Sequence, residues 1–598
     1  MAGPPRADNP IYQVYGGADG EDGETAFFWK SATPGKDALP STWTQRGPVI
    51  QTERGATVTG LPSWMPPVNM PNKLSALEIG SVGGAGGSVY NKGVFHNLPG
   101  KPGGHGKAAT LDVLKSADIT WTMKYAVQSD KRSSPVISVY SVGGTGGLGY
   151  TSWTESEGGI ARGGDGGPVT VNIASRITAD AVTYPPKIAL PAIKALSQGG
   201  SAGVSKVNGQ QSDDGTYQDR VETDRGGSGG SVAVTFAESA NVSVTGTLAP
   251  AVSASSLGGN GGRATNSGGY PSNAGGGGKI DFTNRGTIAS NGNNSAAVIL
   301  QSVGGAGGSG AFTSGTPGAK GGAGGRIDAL NTGTISTKGD YSFGIIAQSV
   351  GGIGGTGGGA AFVSGGDGGG AGLGGQVVIN SFGTITTTGV GASAIMAQSI
   401  GGGSALDAFH AAKPVPITGG GGSGGNSGIL PFSSGGTGGL GGVGGSVQLD
   451  HRGTIKTAGD YAYGALLQSV GGGGGTGGVA SGVGVGLAVA LGGAGGEGGN
   501  GGGVTFNSTL GRIDTSGKHA NGVLAQSIGG GGGNAGNAFA YGLAIAAPGA
   551  SAFNVKLPAQ GQAKSRKYQG KKLSFLDAGV GQFYSDDSDE SGSVFNRR

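Results

Sequence analysis

Along this chain three apolar positions return at a fixed spacing, and that period constrains the fold more than any single residue does. In the clearest copy, VVINSFGTITTTGVGASAIMAQSIGGG over residues 377–403, the positions are Val377, Ile385 and Ile400, separated by 8 and 15 residues. The same two steps separate Ile280, Ile288 and Val303; Ile327, Ile335 and Val350; Val447, Ile455 and Val470; and Val234, Val242 and Leu257. A last copy, Val504, Ile513 and Ile528, is one residue longer in its first step.

Each copy holds three short alternating runs rich in Val, Ile and Thr, parted by punctuation such as Asn380-Ser381-Phe382-Gly383, Thr387-Thr388-Gly389 and Gly401-Gly402-Gly403. Alternation of period two with β-branched residues specifies strands with one inward face and argues against helices. Glycine and asparagine supply the backbone angles that sharp corners need. Three strands and three corners make one coil of a right-handed parallel β-helix, so the expected fold is an all-β solenoid.

A coil this small cannot bury its inward side chains alone and must stack on its neighbours. The spacing sets Val377 over Ile327 and predicts an apolar ladder of Ile288, Ile335, Ile385, Ile455 and Ile513. Gln301, Gln348, Gln398, Gln468 and Gln526 also recur once per coil. They predict an amide ladder, because buried amides in a stack need partners on both sides. The alternative reading of the glutamines is a polar stripe that binds sugars.

With 140 glycines in 598 residues and only 6% aromatics, ordinary compact cores are not expected. Glycine loses more backbone entropy on ordering than any other residue, so only a fold dense in backbone hydrogen bonds can offset it. The charged fraction is 12% and the net charge +4, too little to imply nucleic acid. There are no cysteines, which excludes disulfides and thiolate metal sites.

Four stretches follow from the pattern. Residues 1–48, with Trp29 and Trp43, read as an end cap or lead-in. Over 49–230 the 8-residue step persists at Ile50 to Val58, Leu111 to Ile119 and Val169 to Ile177, while the steps to Val82, Val142 and Gln198 lengthen to 24, 23 and 21. These degenerate coils carry long loops, Thr183-Tyr184-Pro185-Pro186 among them. Residues 231–547 form regular coils, and 548–598 a charged, mobile tail, basic from Lys564 to Lys572 and acidic from Asp586 to Glu590, with a short strand considered at residues 573–576.

Between the regular coils lie glycine tracts with a period of three, as in residues 435–445, GGTGGLGGVGG. Collagen needs one glycine in three and abundant proline; two glycines in three suit polyglycine-II-like strands packed through bare backbone. Coil ends and starts lie 23 residues apart from Leu257 to Ile280 and 24 from Val303 to Ile327, which favours an extra glycine-rich turn of the solenoid. The 47-residue gap from Ile400 to Val447 needs a protruding loop as well.

The words GIIAQSVGG at 344–352, AIMAQSIGG at 394–402 and GVLAQSIGG at 522–530, led by corners such as Gly383-Thr384-Ile385, resemble the glycine-rich passenger regions of bacterial autotransporters. The likeness is strong over about 231–547 and weaker over 49–230. It implies a β-helix displayed outside a Gram-negative cell and anchored or exported by a carboxy-terminal outer-membrane barrel. The chain opens without a basic and apolar leader and ends without the alternating strands of such a barrel, so it reads as a truncated gene or an excised fragment. Membrane contact would then come only through a barrel outside this sequence.

No catalytic chemistry is expected. His96, His105, His410, His451 and His519 lack ligand spacing, and His451 stands at a corner where other copies carry Asn284, Asn331 or Ser381. Ser302, Ser349, Ser399, Ser469 and Ser527 recur once per coil and read as structural. Asp165 and Asp367 lie in GGDGG, but the other tracts lack the acidic ligands calcium needs, so no metal and no cofactor is expected. A threonine face, Thr384 and Thr386 to Thr388, raises ice binding, against which Lys456 interrupts the array. The expected function is a non-enzymatic stalk or adhesin-like surface whose loops touch host cells, matrix or sister cells, with Phe409 and Phe432 in 404–434 as loop contacts. The alternatives are a secreted β-helix polysaccharide-active enzyme, which needs clustered acids on one face, and a purely structural filament.

Overall fold

The structure is a computed structural model, and it describes residues 11–19, 33–46, 49–50, 75–88, 101–123, 135–147, 161–181, 190–203, 225–264, 271–311, 315–360, 364–402, 420–428, 432–485, 489–543, 582–586 and 592–597. The three runs of each copy become three strands, and equivalent strands of successive coils pair in parallel, giving a parallel β-helix. First runs form a nine-stranded sheet from Ser41–Gln45 to Val504–Ser508, and second runs another from Val49–Ile50 to Arg512–Thr515. Third runs form the largest, twelve-stranded sheet, which opens with Ile11–Gly16.

Inward side chains meet in register. Ile288 pairs with Ile335, Ile335 with Ile385, Ile385 with Ile455 and Ile455 with Ile513; the first four have no exposed surface. Ile513, in the last coil, is partly buried against the same core. Val377 lies over Ile327 in the first-run sheet, and Val350 over Ile400 in the third. Each isoleucine so buried contributes about 1.5–3 kcal/mol relative to exposure.

Register corrects part of the spacing alignment. Val232, not Val234, pairs with Ile280, and Ala109, not Leu111, pairs with Val169, so those coils have a first step of 10. Strand alternation makes a shift of two residues invisible, since both positions face inward. Ile50 belongs to a second run, because Val49 pairs with Ile119; the first run of that coil is Ser41–Gln45. The ladders therefore start before residue 49, with Trp43 packed against the core and Trp121 inside it. Val58, Trp29 and Thr183 to Pro186 lie outside the described residues.

Of the charged tail expected at 548–598, two short strands lie within the described residues. Gly592–Arg597 pairs antiparallel with Val523–Ile528, Leu524 opposite Phe595, and Gln582–Asp586 pairs antiparallel with it. Residues 573–576 lie outside the described residues.

The glycine tracts do not make a further turn around the core. Between successive coils their described parts run outward from the third-run strand and return alongside themselves to the next first run. Gly304 packs against Gly322, Gly307 against Ala319 and Gly310 against Thr316, an antiparallel out-and-back pair. Outward passes form one layer and return passes a second. Of every three residues, one donates to the next coil in its own layer (Gly304 N–H to Val350 O, Gly307 to Ile353 O), and one donates across to the other layer (Gly305 to Gly275 O, Gly322 to Gly305 O). The third turns outward. This is the hydrogen-bonding of polyglycine II, and bare glycine is required because a Cβ at Gly305 would stand 2.2 Å from the Gly259 oxygen.

Candidate functional surfaces

The glutamines lie on the third-run sheet and form a continuous amide ladder. Nε2 of Gln301 donates to Oε1 of Gln348 at 2.9 Å, Gln348 to Gln398 at 2.7 Å, Gln398 to Gln468 at 2.6 Å and Gln468 to Gln526 at 2.6 Å. Apolar columns flank it: Ile299, Ile346, Met396, Leu466 and Leu524 on one side, Val303, Val350 and Ile400 on the other, all buried.

The repeated serines join the helix to the glycine bundle. Ser302 Oγ donates to Gly278 O and accepts from Gly325 N–H, both at 2.8 Å, and Ser349 and Ser399 repeat the bridge one coil on. Thr337, Thr387 and Thr457 are buried and donate through Oγ1 to the carbonyls of Ser342, Ala392 and Ala462, pinning the following corner. Thr387 therefore does not share an outer face with Thr386 and Thr388, and Lys456 pairs with Thr386.

A second corner carries a feature the sequence reading missed. Leu248, Asn294, Tyr341, Gly391, Tyr461 and His519 occupy equivalent places two residues after a glycine, all with φ between +55° and +65°. Tyr461 stacks on His519 with ring centroids 5.1 Å apart, and the Tyr341 ring lies against Gly391. Only the shared glycine of this corner signals it in the sequence, since five of the six left-handed residues are not glycine.

His451 is fully buried in the corner column with Asn284, Asn331 and Ser381. Its Nδ1 lies 3.1 Å from Ser381 O and its Nε2 3.3 Å from Arg512 O. Burial holds its pKa below the ordinary imidazole value against the opposite pull of the two carbonyls. Above it, Asn284 donates to Asn331 Oδ1 at 2.8 Å.

On the return layer, outward side chains accept from the neighbouring pass: Asp37 Oδ1 from His105 N–H at 2.7 Å, His105 Nδ1 from Asp165 N–H at 2.9 Å, and Asp165 Oδ1 from Ser228 N–H at 2.7 Å. Asp367 Oδ1 accepts from Thr437 N–H at 2.8 Å, so the GGDGG aspartates act as backbone caps. Lys279 reaches Asp281 at 2.6 Å and Asp328 at 3.1 Å, and Arg326 reaches Asp328 at 2.7 Å. Among the described residues no three acids or histidines gather where a metal ion could bind.

At the bundle's far end short strands gather, Ser427–Gly428 with Ala480–Val485 and Ala538–Leu543, and Phe432–Ser434 with Val489–Leu491. Phe432, opposite Val489, is 66% exposed there, and Leu491, Val483 and Phe539 on these short strands are exposed as well. Residues 420–428 and 432–434 of the expected 404–434 loop thus belong to the bundle and its tip, and Phe409 lies outside the described residues. A shallow hollow between Gly420–Gly421 and Gly529–Gly531 is lined mostly by glycine, with Val470 and the hydroxyls of Ser423 and Thr476, which bond to each other at 3.0 Å. Comparison with family models, curated proteins and solved structures finds no match.

Proposed function

We propose that this chain is a rigid, non-enzymatic spacer displayed outside a Gram-negative cell, the passenger part of an autotransporter-like protein, with its contacts made by the distal tip of the glycine bundle. The observation that carries the reading is the relay of backbone bonds between the two glycine layers. It passes from Gly402 to Gly372, Gly352, Gly322, Gly305, Gly275 and Gly259, and on through Gly227, Gly200, Gly164, Gly144, Gly104 and Gly84 to Lys36. Together with the in-register core, it ties the coils between Lys36 and Gly402 to one another in two independent ways, which favours stiffness over hinge motion. Coil-by-coil stacking lets such a chain fold progressively after export, driven by its own burial.

Contacts with host surface, matrix or sister cells are assigned to Phe432, Leu491, Val483 and Phe539, an exposed apolar group at the end farthest from the core. The test has two arms. Protease added to intact producing cells should degrade the protein, and protection of the chain would sink the display reading. The purified chain should bind cells or matrix, and Phe432→Ser with Phe539→Ser should abolish that binding; unchanged binding would remove the tip from the proposal.

A further inference from the structure

We propose that the flat face carrying Leu373, Leu440 and Val443 is a self-association surface, where two copies of this chain meet about a twofold axis. Outward residues of the return passes stand on a lattice, about 4.8 Å apart between passes and about 9.3 Å apart along each pass. In other coils these places hold polar or small residues, such as Asp165, Ser228 and Lys320. Here three adjacent places are aliphatic, with Leu373 53%, Leu440 59% and Val443 42% exposed. The bonds Ala371 N–H to Leu440 O at 2.8 Å and Gly374 N–H to Val443 O at 2.9 Å set Leu440 beside Gly370 and Val443 beside Leu373.

Gly370 is the second, independent observation. Neighbouring glycines are demanded by the bundle: a Cβ on Gly369 would stand 2.0 Å from Ala319 O, and one on Gly372 1.9 Å from Gly322 O. A Cβ on Gly370 meets nothing nearer than 4.0 Å, so the fold leaves room for a side chain there and the sequence leaves a hole.

One file of the lattice runs Lys320, Gly370, Leu440, Glu497, each tied to the next by a backbone bond. A twofold axis lying in the face, midway between the Gly370 and Leu440 passes, reverses this order in the second copy. Leu440 of each copy then enters the bare place at Gly370 of the other, and Leu373 meets Val443. The face is self-complementary in shape, which is what an isologous contact requires. Four passes of about 37 Å each, about 19 Å across, offer about 700 Å² per copy. A standard interface buries about 800 Å² per partner. Such a contact forms whether or not the chain is displayed outside the cell.

The experiment is light scattering and sedimentation of the full chain over a concentration series. The wild type should be dimeric. Gly370→Phe and, separately, Leu440→Ser should be monomeric with unchanged circular dichroism and thermal unfolding. A wild type that is monomeric at every soluble concentration, or a Gly370→Phe or Leu440→Ser variant that dimerises as tightly, would each overturn the proposal.

Discussion

Gln348 donates its side-chain amide to Gln398, 50 residues further along the chain, at 2.7 Å, and both groups are buried. The pair is one link of a ladder in which every interior glutamine is both donor and acceptor. Breaking one rung strands two partners, since Gln348 loses its acceptor and Gln468 its donor. Each stranded amide costs about 1–3 kcal/mol. Gln398→Ala should therefore lower stability by about 2–5 kcal/mol, read as a fall in the denaturant midpoint of the C-terminal coils, whereas Gln526→Ala, at the ladder's end, should cost roughly half as much.

Ile385 lies between Ile335 and Ile455 with no exposed surface. Ile385→Ala removes three carbons from a stack that cannot collapse, because the backbone ladders hold the coils apart. A loss of about 2–5 kcal/mol is expected. Hydrogen exchange should show the lost protection concentrated in coils 327–350, 377–400 and 447–470, and uniform loss over the chain would contradict nearest-neighbour stacking.

Adjacent glycines in one tract should respond oppositely to the same change. Gly369→Ala forces a methyl against the Ala319 carbonyl, 2.0 Å away before relaxation, while in the dilute, dissociated chain a methyl at Gly370 meets nothing nearer than the Leu440 oxygen at 4.0 Å. The first should cost about 1–3 kcal/mol or more and the second stay within about 0.5 kcal/mol, measured by thermal unfolding.

His451 makes stability depend on pH. Its folded pKa is lowered by burial, while the unfolded chain binds the proton at an ordinary value of about 6.5. A lowered basic group favours the unfolded state once that state protonates. The stability it supports is thus complete above about pH 7 and is lost as pH falls through 6.5 toward the folded value. His451→Asn, the residue found at Asn284 and Asn331, should flatten the unfolding midpoint between about pH 7 and 5. An unchanged slope would place the titrating group elsewhere.

The tail bears on the edge of the third-run sheet, which would otherwise present unpaired backbone groups at Val523–Ile528. Val594→Pro removes one backbone donor of Gly592–Arg597, where Val594 stands opposite Ala525. It should unprotect the amides of Val523–Ile528 in hydrogen exchange while leaving Val298–Val303 unaffected.

The period of the apolar positions alone determined the three strands per coil and the stacking of Ile335, Ile385 and Ile455, because the steps of 8 and 15 residues recur unchanged in those coils and set the same inward positions above one another. The once-per-coil glutamines were legible for the same reason. Val232 against Val234 was not, since strand alternation repeats every two residues and only the cross-coil register distinguishes them. Nor was the path of the glycine tracts: two glycines in three specify close backbone packing but not which backbone is the neighbour. That choice depends on bonds such as Gly322 to Gly305 and Gly352 to Gly322, which close only once adjacent coils are stacked. The open place at Gly370 belongs to the same class, because in sequence it is one glycine among 140, and only its surroundings show that nothing fills the space above it.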